Sequence, residues 1–145
     1  MTQSILERVQ ADTRDAMKAG ERERVMTLRM IASSLQQDAK LGDGDAVAVL
    51  QRERKKRVEA ADAFAEAGRD EQAEAERAEA ELITAYLPEQ LDDGELDEIV
   101  AEAVERTSAS SQKDMGKVIG IVMPQVKGRA DGKRVSTAVR QALGS

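Results

Sequence analysis

Seven cations in the last third of the chain are the residues whose types and spacing suit chemistry, and that chemistry is anion binding. Lys113, Lys117, Lys127, Arg129, Lys133, Arg134 and Arg140 stand against only Asp114 and Asp131 in residues 107–145, which leaves the segment near +5. The first 106 residues carry the opposite sign, near −11, so the net charge of −6 conceals a cationic module joined to an acidic one. A polyanion responds to the local field and not to the sum.

Spacing sharpens this. If residues 113–127 are helical, Met115, Val118, Ile119, Val122 and Val126 form an apolar stripe, and Lys113, Lys117, Gly120, Pro124 and Lys127 line the opposite face. That face alternates cations with residues lacking bulk, which suits close approach of a polyanion backbone. Gly116 and Gly120 each cost a helix roughly 1 kcal/mol relative to alanine, so they call for a functional reason or a packing one. The packing reason is a GxxxG contact between two helices of a small bundle. Pro124 is expected to kink or end the helix within 120–123. After the turn KGRADGKR, Asp131 is the expected N-cap of a last helix, with Val135, Ala138, Val139 and Ala142 buried and Lys133, Thr137 and Arg140 on the far side. A helix N-terminus with Arg129, Lys133 and Arg134 around it offers a phosphate site, which Asp131 opposes. No aromatic residue lies in this segment, so RNA recognition there would run through backbone and shape and not through base stacking.

Composition excludes much else. The chain has no histidine and no cysteine, which removes Ser-His and Cys-His nucleophile pairs, histidine bases, disulfides and essentially all zinc chemistry. No dedicated spacing of acids for a hard cation stands out, so neither metal nor cofactor is expected, and the reading is of a non-catalytic protein. The opening MTQSILERVQADTRDAMK has no long apolar run, which predicts neither a signal peptide nor a membrane span and makes the cytoplasm the expected compartment.

The elements that must position these residues read as helices throughout, an all-α fold. With one Phe, one Tyr and no Trp, the core must be aliphatic and its helices closely spaced. Ser4 with Glu7 opens a first helix carrying Ile5, Leu6, Val9, Ala16 and Met17, which Gly20 ends. Val25, Leu28, Ile31, Ala32, Leu35 and Ala39 mark a second, broken by LGDGD. A third runs from Asp45 to Gly68 on Val47, Leu50, Val58, Ala61 and Ala65. A fourth from Asp70 carries Ala75, Ala78, Leu82 and Ala85, joined by Ile83, Tyr86 and Leu87, until Pro88 stops it. Asp92 and Glu95 then open an amphipathic helix on Leu96, Ile99, Val100, Ala103 and Val104.

The run RERKKR, residues 52–57, spans more than one turn and cannot face one way. It reads as a solvated face with a Glu53–Arg57 pair and Arg54 ion-paired at the stripe's edge, or else as a second phosphate-contacting surface of Arg52, Lys55 and Lys56.

The segment KDMGKVIGIVMPQVKGRADGKRV, from Lys113 to Val135, resembles the signature tail of the GatB/YqeY family, and more closely the free-standing YqeY-like proteins. The resemblance extends through LRMIASSL (28–35), QRERKKR (51–57), AGR (67–69) and AYLPEQL (85–91), and so covers essentially the whole chain. It implies an N-terminal helical domain over 1–90 followed by a small C-terminal three-helix domain over 91–145, the latter similar to the tail of the B subunit of tRNA-dependent amidotransferases. In that enzyme the tail contacts tRNA, while kinase and amide-transfer chemistry lie in a cradle domain that nothing here matches. The implied function is a non-catalytic accessory protein binding structured RNA, tRNA foremost, through Lys113, Lys117, Gly120, Lys127, Arg129, Lys133, Arg134 and Arg140. Two alternatives stand beside it: a module that associates with an amidotransferase or an aminoacyl-tRNA synthetase, or a carbon–nitrogen ligase-related activity with glutamine as amido donor.

Overall fold

The computed structural model describes residues 3–42 and 44–144. Among them every regular element is helical: α1 (Ile5–Ala19), α2 (Arg22–Leu41), α3 (Ala46–Glu66), α4 (Asp70–Thr84), α5 (Asp93–Thr107), α6 (Met115–Val126) and α7 (Gly132–Leu143), with a 3₁₀ turn over Gln112–Asp114 ahead of α6. The chain forms two compact units, Met1–Leu87 and Pro88–Ser145.

Local capping chemistry sets the helix ends where the sequence signals them. Ser4 Oγ accepts from the Glu7 N–H at 3.1 Å while Glu7 Oε1 accepts from the Ser4 N–H at 3.2 Å. Asp92 and Glu95 repeat that reciprocal pair at 2.7 and 3.1 Å to open α5. Asp45 Oδ1 accepts from the Ala48 N–H at 3.1 Å at the start of α3. Each side chain satisfies an N–H that the first helical turn leaves without a partner. Gly20 ends α1 with φ 73°, a left-handed conformation that a side chain would strain.

In the first unit α1 packs on α2, α2 on α3, and α4 along α3. The core is aliphatic, built from Val9, Leu28, Ile31, Leu35, Leu50 and Ile83, with Tyr86 as its one aromatic member. Tyr86 is buried; its hydroxyl donates to Asp12, and the Arg8 guanidinium lies 5.3 Å from its ring centroid.

Several expected core positions fall elsewhere. Met17 is 53% exposed, Ala39 is exposed, and Val49 in place of Val47 joins Leu50 under the surface. In α4 the buried positions are Ala73, Ala80 and Ile83, whereas Ala75, Ala78 and Ala85 are exposed. An alanine-rich helix has little apolar contrast between its faces, and the face that turns inward here is the one whose glutamates meet a cation. Arg57 of α3, its side chain only 14% exposed, lies 3.0 Å from Glu79 and 4.0 Å from Glu76 of α4. Glu76 and Glu79 share a side of α4 with Ala73, Ala80 and Ile83. Arg57 Nε is at ion-pair distance from both, yet its N–H is aligned with no acceptor. The expected pair of Arg57 with Glu53 forms at 3.6 Å, and Arg54 Nε donates to Thr84 Oγ1 at 2.9 Å.

The second unit is three mutually packed helices, α5, α6 and α7, around Leu96, Val100, Val118, Val122, Val135 and Val139. Two expectations are corrected here. Of the kink or end expected from Pro124, the end within 120–123 does not occur, because the helix continues to Val126. Pro124 sits in its last turn and forfeits only the bond its N–H would have made to the Gly120 carbonyl. Ala142 is exposed, and Leu143 packs on the core at that end instead.

Candidate nucleic-acid interface

The apolar stripe of α6 turns Val118, Val122 and Val126 into the core. At about 100° per residue, Lys113, Gly116, Lys117, Gly120, Pro124 and Lys127 therefore share the opposite sector. All six are exposed.

A methyl group added at Gly116 or Gly120 would meet no atom beyond its own helix backbone and chain neighbours within 4 Å among the described residues. The GxxxG pair thus holds no second helix against α6, because the stripe and not the glycines faces α5 and α7. What the two glycines provide is a smooth strip of exposed backbone between lysines.

The start of α6 is tied down by its own polar loop. Ser111 Oγ accepts from the Lys113 N–H at 3.3 Å, and the Ser110 N–H donates to Asp114 Oδ2 at 2.9 Å. Backbone donation from Ser110 foremost, then from Ser111, with a smaller contribution from the Lys117 charge, holds the Asp114 carboxyl below the usual carboxylate range. One anionic group therefore stands at the edge of the cationic face beside Lys117. Gln112 Nε2 donates to the Arg140 carbonyl at 3.1 Å and also to that of Gly144. This seats the last turn of α7 at the foot of α6 and brings exposed Arg140 to the same end.

Two of the cations have structural work. Arg134 Nη2 donates to the Leu91 carbonyl at 2.8 Å and to Asp93 Oδ1 at 3.0 Å, while its backbone N–H donates to the cap, Asp131, at 2.8 Å. Arg129 Nε donates to the Glu89 carbonyl at 3.0 Å, and its own carbonyl accepts from the Leu91 N–H at 2.9 Å. Gln90 Nε2 donates to the Gly128 carbonyl at 2.7 Å, where Gly128 turns the chain with φ 78°. Together these bonds clasp the segment 88–91 to the turn between α6 and α7.

Lys133 points elsewhere. With Thr137 it lines a groove of about 350 Å³ whose α5 wall presents Asp93, Leu96 and Asp97. Lys133 and Arg134 thus border acids of α5, and the smooth cationic strip is the α6 face with Lys113, Lys117, Gly120 and Lys127, extended by Arg140.

The second basic surface is locally compensated. Arg52 lies 3.9 Å from Asp38, Lys56 3.7 Å from Glu53, and Lys55 4.0 Å from Glu59. Arg52 and Lys56 flank an open groove of about 330 Å³ between α2 and α3 in which Asp38 and Glu53 also sit.

Sequence reasoning left Gly116 out of the expected RNA-facing residues, although its cost to the helix was a signal that could have placed it among them. The clasp was legible only as two separate motifs, LPEQL and KGRAD, with nothing to say that they touch. Among the described residues no group of acidic side chains is placed to hold a metal ion, and no helix is long and apolar enough to cross a membrane.

The model of a family described as Yqey-like protein matches residues 6–143. Altered inheritance of mitochondria protein 41, mitochondrial, of Pyrenophora tritici-repentis is 28% identical over 149 residues, spanning 97% of this chain and 82% of its own length. The E subunit of the glutamyl-tRNA(Gln) amidotransferase of Thermococcus gammatolerans is 42% identical over 48 residues, 33% of this chain and 8% of that protein.

Proposed function

The chain belongs to the family of YqeY-like proteins, and from that premise we propose that it is a non-catalytic accessory protein that binds structured RNA, tRNA foremost, on the exposed face of α6. The observation that carries this reading is the pair Gly116 and Gly120, exposed on a helix they destabilise, with no packing partner and with Lys113, Lys117 and Lys127 around them. A backbone strip without Cβ atoms lets phosphates come close to the helix, and the flanking ammonium groups neutralise them. The kinship of a 48-residue segment with part of an amidotransferase named for glutamyl-tRNA(Gln) makes tRNA the first RNA to try.

In this reading Lys113, Lys117, Gly120, Lys127 and Arg140 meet the RNA. Arg129 and Arg134 hold the shape of the surface, and Lys133 contributes at its border. With no aromatic side chain in the unit's basic segment, contact is to phosphate and ribose and follows RNA shape.

Filter binding of a tRNA transcript, over a salt series of about 50 to 200 mM, tests the proposal. Lys113→Glu with Lys117→Glu should weaken binding at least about tenfold and lower the salt slope by roughly one for each phosphate no longer neutralised. Unchanged affinity and slope in the double variant would refute it.

A further inference from the structure

A groove in the first unit is a second surface that RNA binding does not explain. It runs between α2 and α4, is open along its length and encloses about 670 Å³. Its apolar lining is Met26 and Met30 from α2 with Ala75, Ala78 and Leu82 from α4. Met26 is 71% exposed and Met30 37%, a cost in water that ordinary surface positions avoid. These are the alanines that the inward turn of Glu76 and Glu79 toward Arg57 leaves outside.

Shape and charge together specify the occupant. Methionine side chains are unbranched and polarizable and adapt to varied apolar partners, while Ala75 and Ala78 let a helix approach closely. The rim is acidic on balance: α4 carries Asp70, Glu71, Glu74, Glu76, Glu79 and Glu81 against Arg77 alone and Glu23 adds to it from α2, while the cations there are Arg24 in the lining and Arg57, whose Nη2 lies 2.8 Å from Met30 Sδ. By helical geometry Glu74 and Glu81 flank the Ala75–Ala78–Leu82 line on one side and Glu79 on the other. A cationic amphipathic helix, with apolar anchors at i, i+3 or i+4 and i+7 and Lys or Arg at its edges, complements all of this.

A second copy of this chain does not. Its basic helices α6 and α7 already spend their apolar stripes, Val118, Val122, Val135 and Val139, in their own core. The same groove on a second copy carries the same excess of acid, and two such faces repel. We propose that the α2–α4 groove is the docking site for a cationic amphipathic helix of a different protein.

The test uses the full chain and a fluorescein-labelled synthetic peptide of about 18 residues, five helical turns, with leucines on one face and lysines on the other. Fluorescence anisotropy should show saturable binding that weakens as salt rises through about 50 to 200 mM. Met26→Glu and Ala78→Arg, both at exposed helical positions and both with unchanged circular dichroism, should each weaken it about tenfold or more. Lys113→Glu with Lys117→Glu, in the other unit, should leave it unchanged. A scrambled peptide of the same composition without the leucine face should not bind. Equal binding of the scrambled peptide, indifference to both groove variants, or no binding by the native chain overturns the proposal. So does a dimer mass in light scattering that Met26→Glu converts to monomer, since the occupant would then be a second copy.

Discussion

Arg134 and Leu91, forty-three positions apart in the chain, are joined by a single 2.8 Å hydrogen bond from Nη2 to the Leu91 carbonyl. The same guanidinium nitrogen reaches Asp93 at 3.0 Å, but the Asp93 side chain is 93% exposed, so that ion pair contributes little. The carbonyl bond holds the entrance of α5 to the start of α7. Arg134→Ala is expected to destabilise the second unit by about 1–2 kcal/mol and to change tRNA affinity far less than Lys117→Glu does. Thermal melting alongside binding at a temperature where both variants are folded separates the two effects. A loss of affinity without a loss of stability would instead put Arg134 in contact with RNA.

Gly116 and Gly120 make opposite predictions for stability and for binding. Since a methyl group at either position meets nothing across space, Gly116→Ala and Gly120→Ala should each stabilise the protein by up to about 1 kcal/mol. Each should also weaken tRNA binding, by holding phosphates away from the α6 backbone. A stabilised variant with undiminished affinity in a combined melting and filter-binding series would show that the open strip does not meet RNA.

Arg57 should matter more to stability than any of the exposed cations beside it. Its side chain, 14% exposed, sits among Glu53, Glu76 and Glu79, so Arg57→Ala takes the cation from the partly buried carboxylates of Glu76 and Glu79 and leaves Glu53 with Lys56 and Ser34. A cost of about 2–3 kcal/mol is expected, below the full value for a completely buried pair. Lys55→Ala, whose partner Glu59 is 66% exposed, should change stability by less than about 0.5 kcal/mol. Urea denaturation of the two variants measures the difference.

Tyr86 should make the first unit sensitive to alkali. Burial first, then the hydrogen bond and charge of Asp12, push its hydroxyl well above the ordinary tyrosine range. The unfolded chain ionises near the usual value of about 10. The stabilising contribution is therefore complete below that pH and is lost as pH rises from there toward the higher folded-state value. With one Tyr and no Trp in the chain, ultraviolet absorbance of tyrosinate reports this group directly. It should lag that of free tyrosine until the protein unfolds, and Tyr86→Phe should flatten the alkaline fall in melting temperature.

Much of the fold is legible in the sequence because its signals are local. The capping boxes Ser4–Glu7 and Asp92–Glu95, the stop at Gly20, and the stripes Val25–Leu28–Ile31–Leu35 and Leu96–Val100–Ala103 depend on neighbours three or four residues away, and each recurs in the structure. The sign reversal between the acidic first part and the cationic last part is likewise complete in the order of residues. Family membership follows from motifs that run along nearly the whole chain.

What tertiary structure alone decided is which faces meet. In α4 alternating alanines and glutamates offer two nearly equal apolar lines, and the one that turns inward carries Ala73, Ala80 and the buried Ile83, with Glu76 and Glu79 beside it meeting Arg57 of α3. In the tail, seven cations look equivalent by charge until hydrogen bonds to Leu91 and Glu89 engage Arg134 and Arg129, and Lys133 comes to border Asp93 and Asp97. A residue's type and its helical phase are set within a few residues of chain. Its partner forty residues away is set by how three helices close around one core, and that closure leaves Gly116 and Gly120 of α6 in the open.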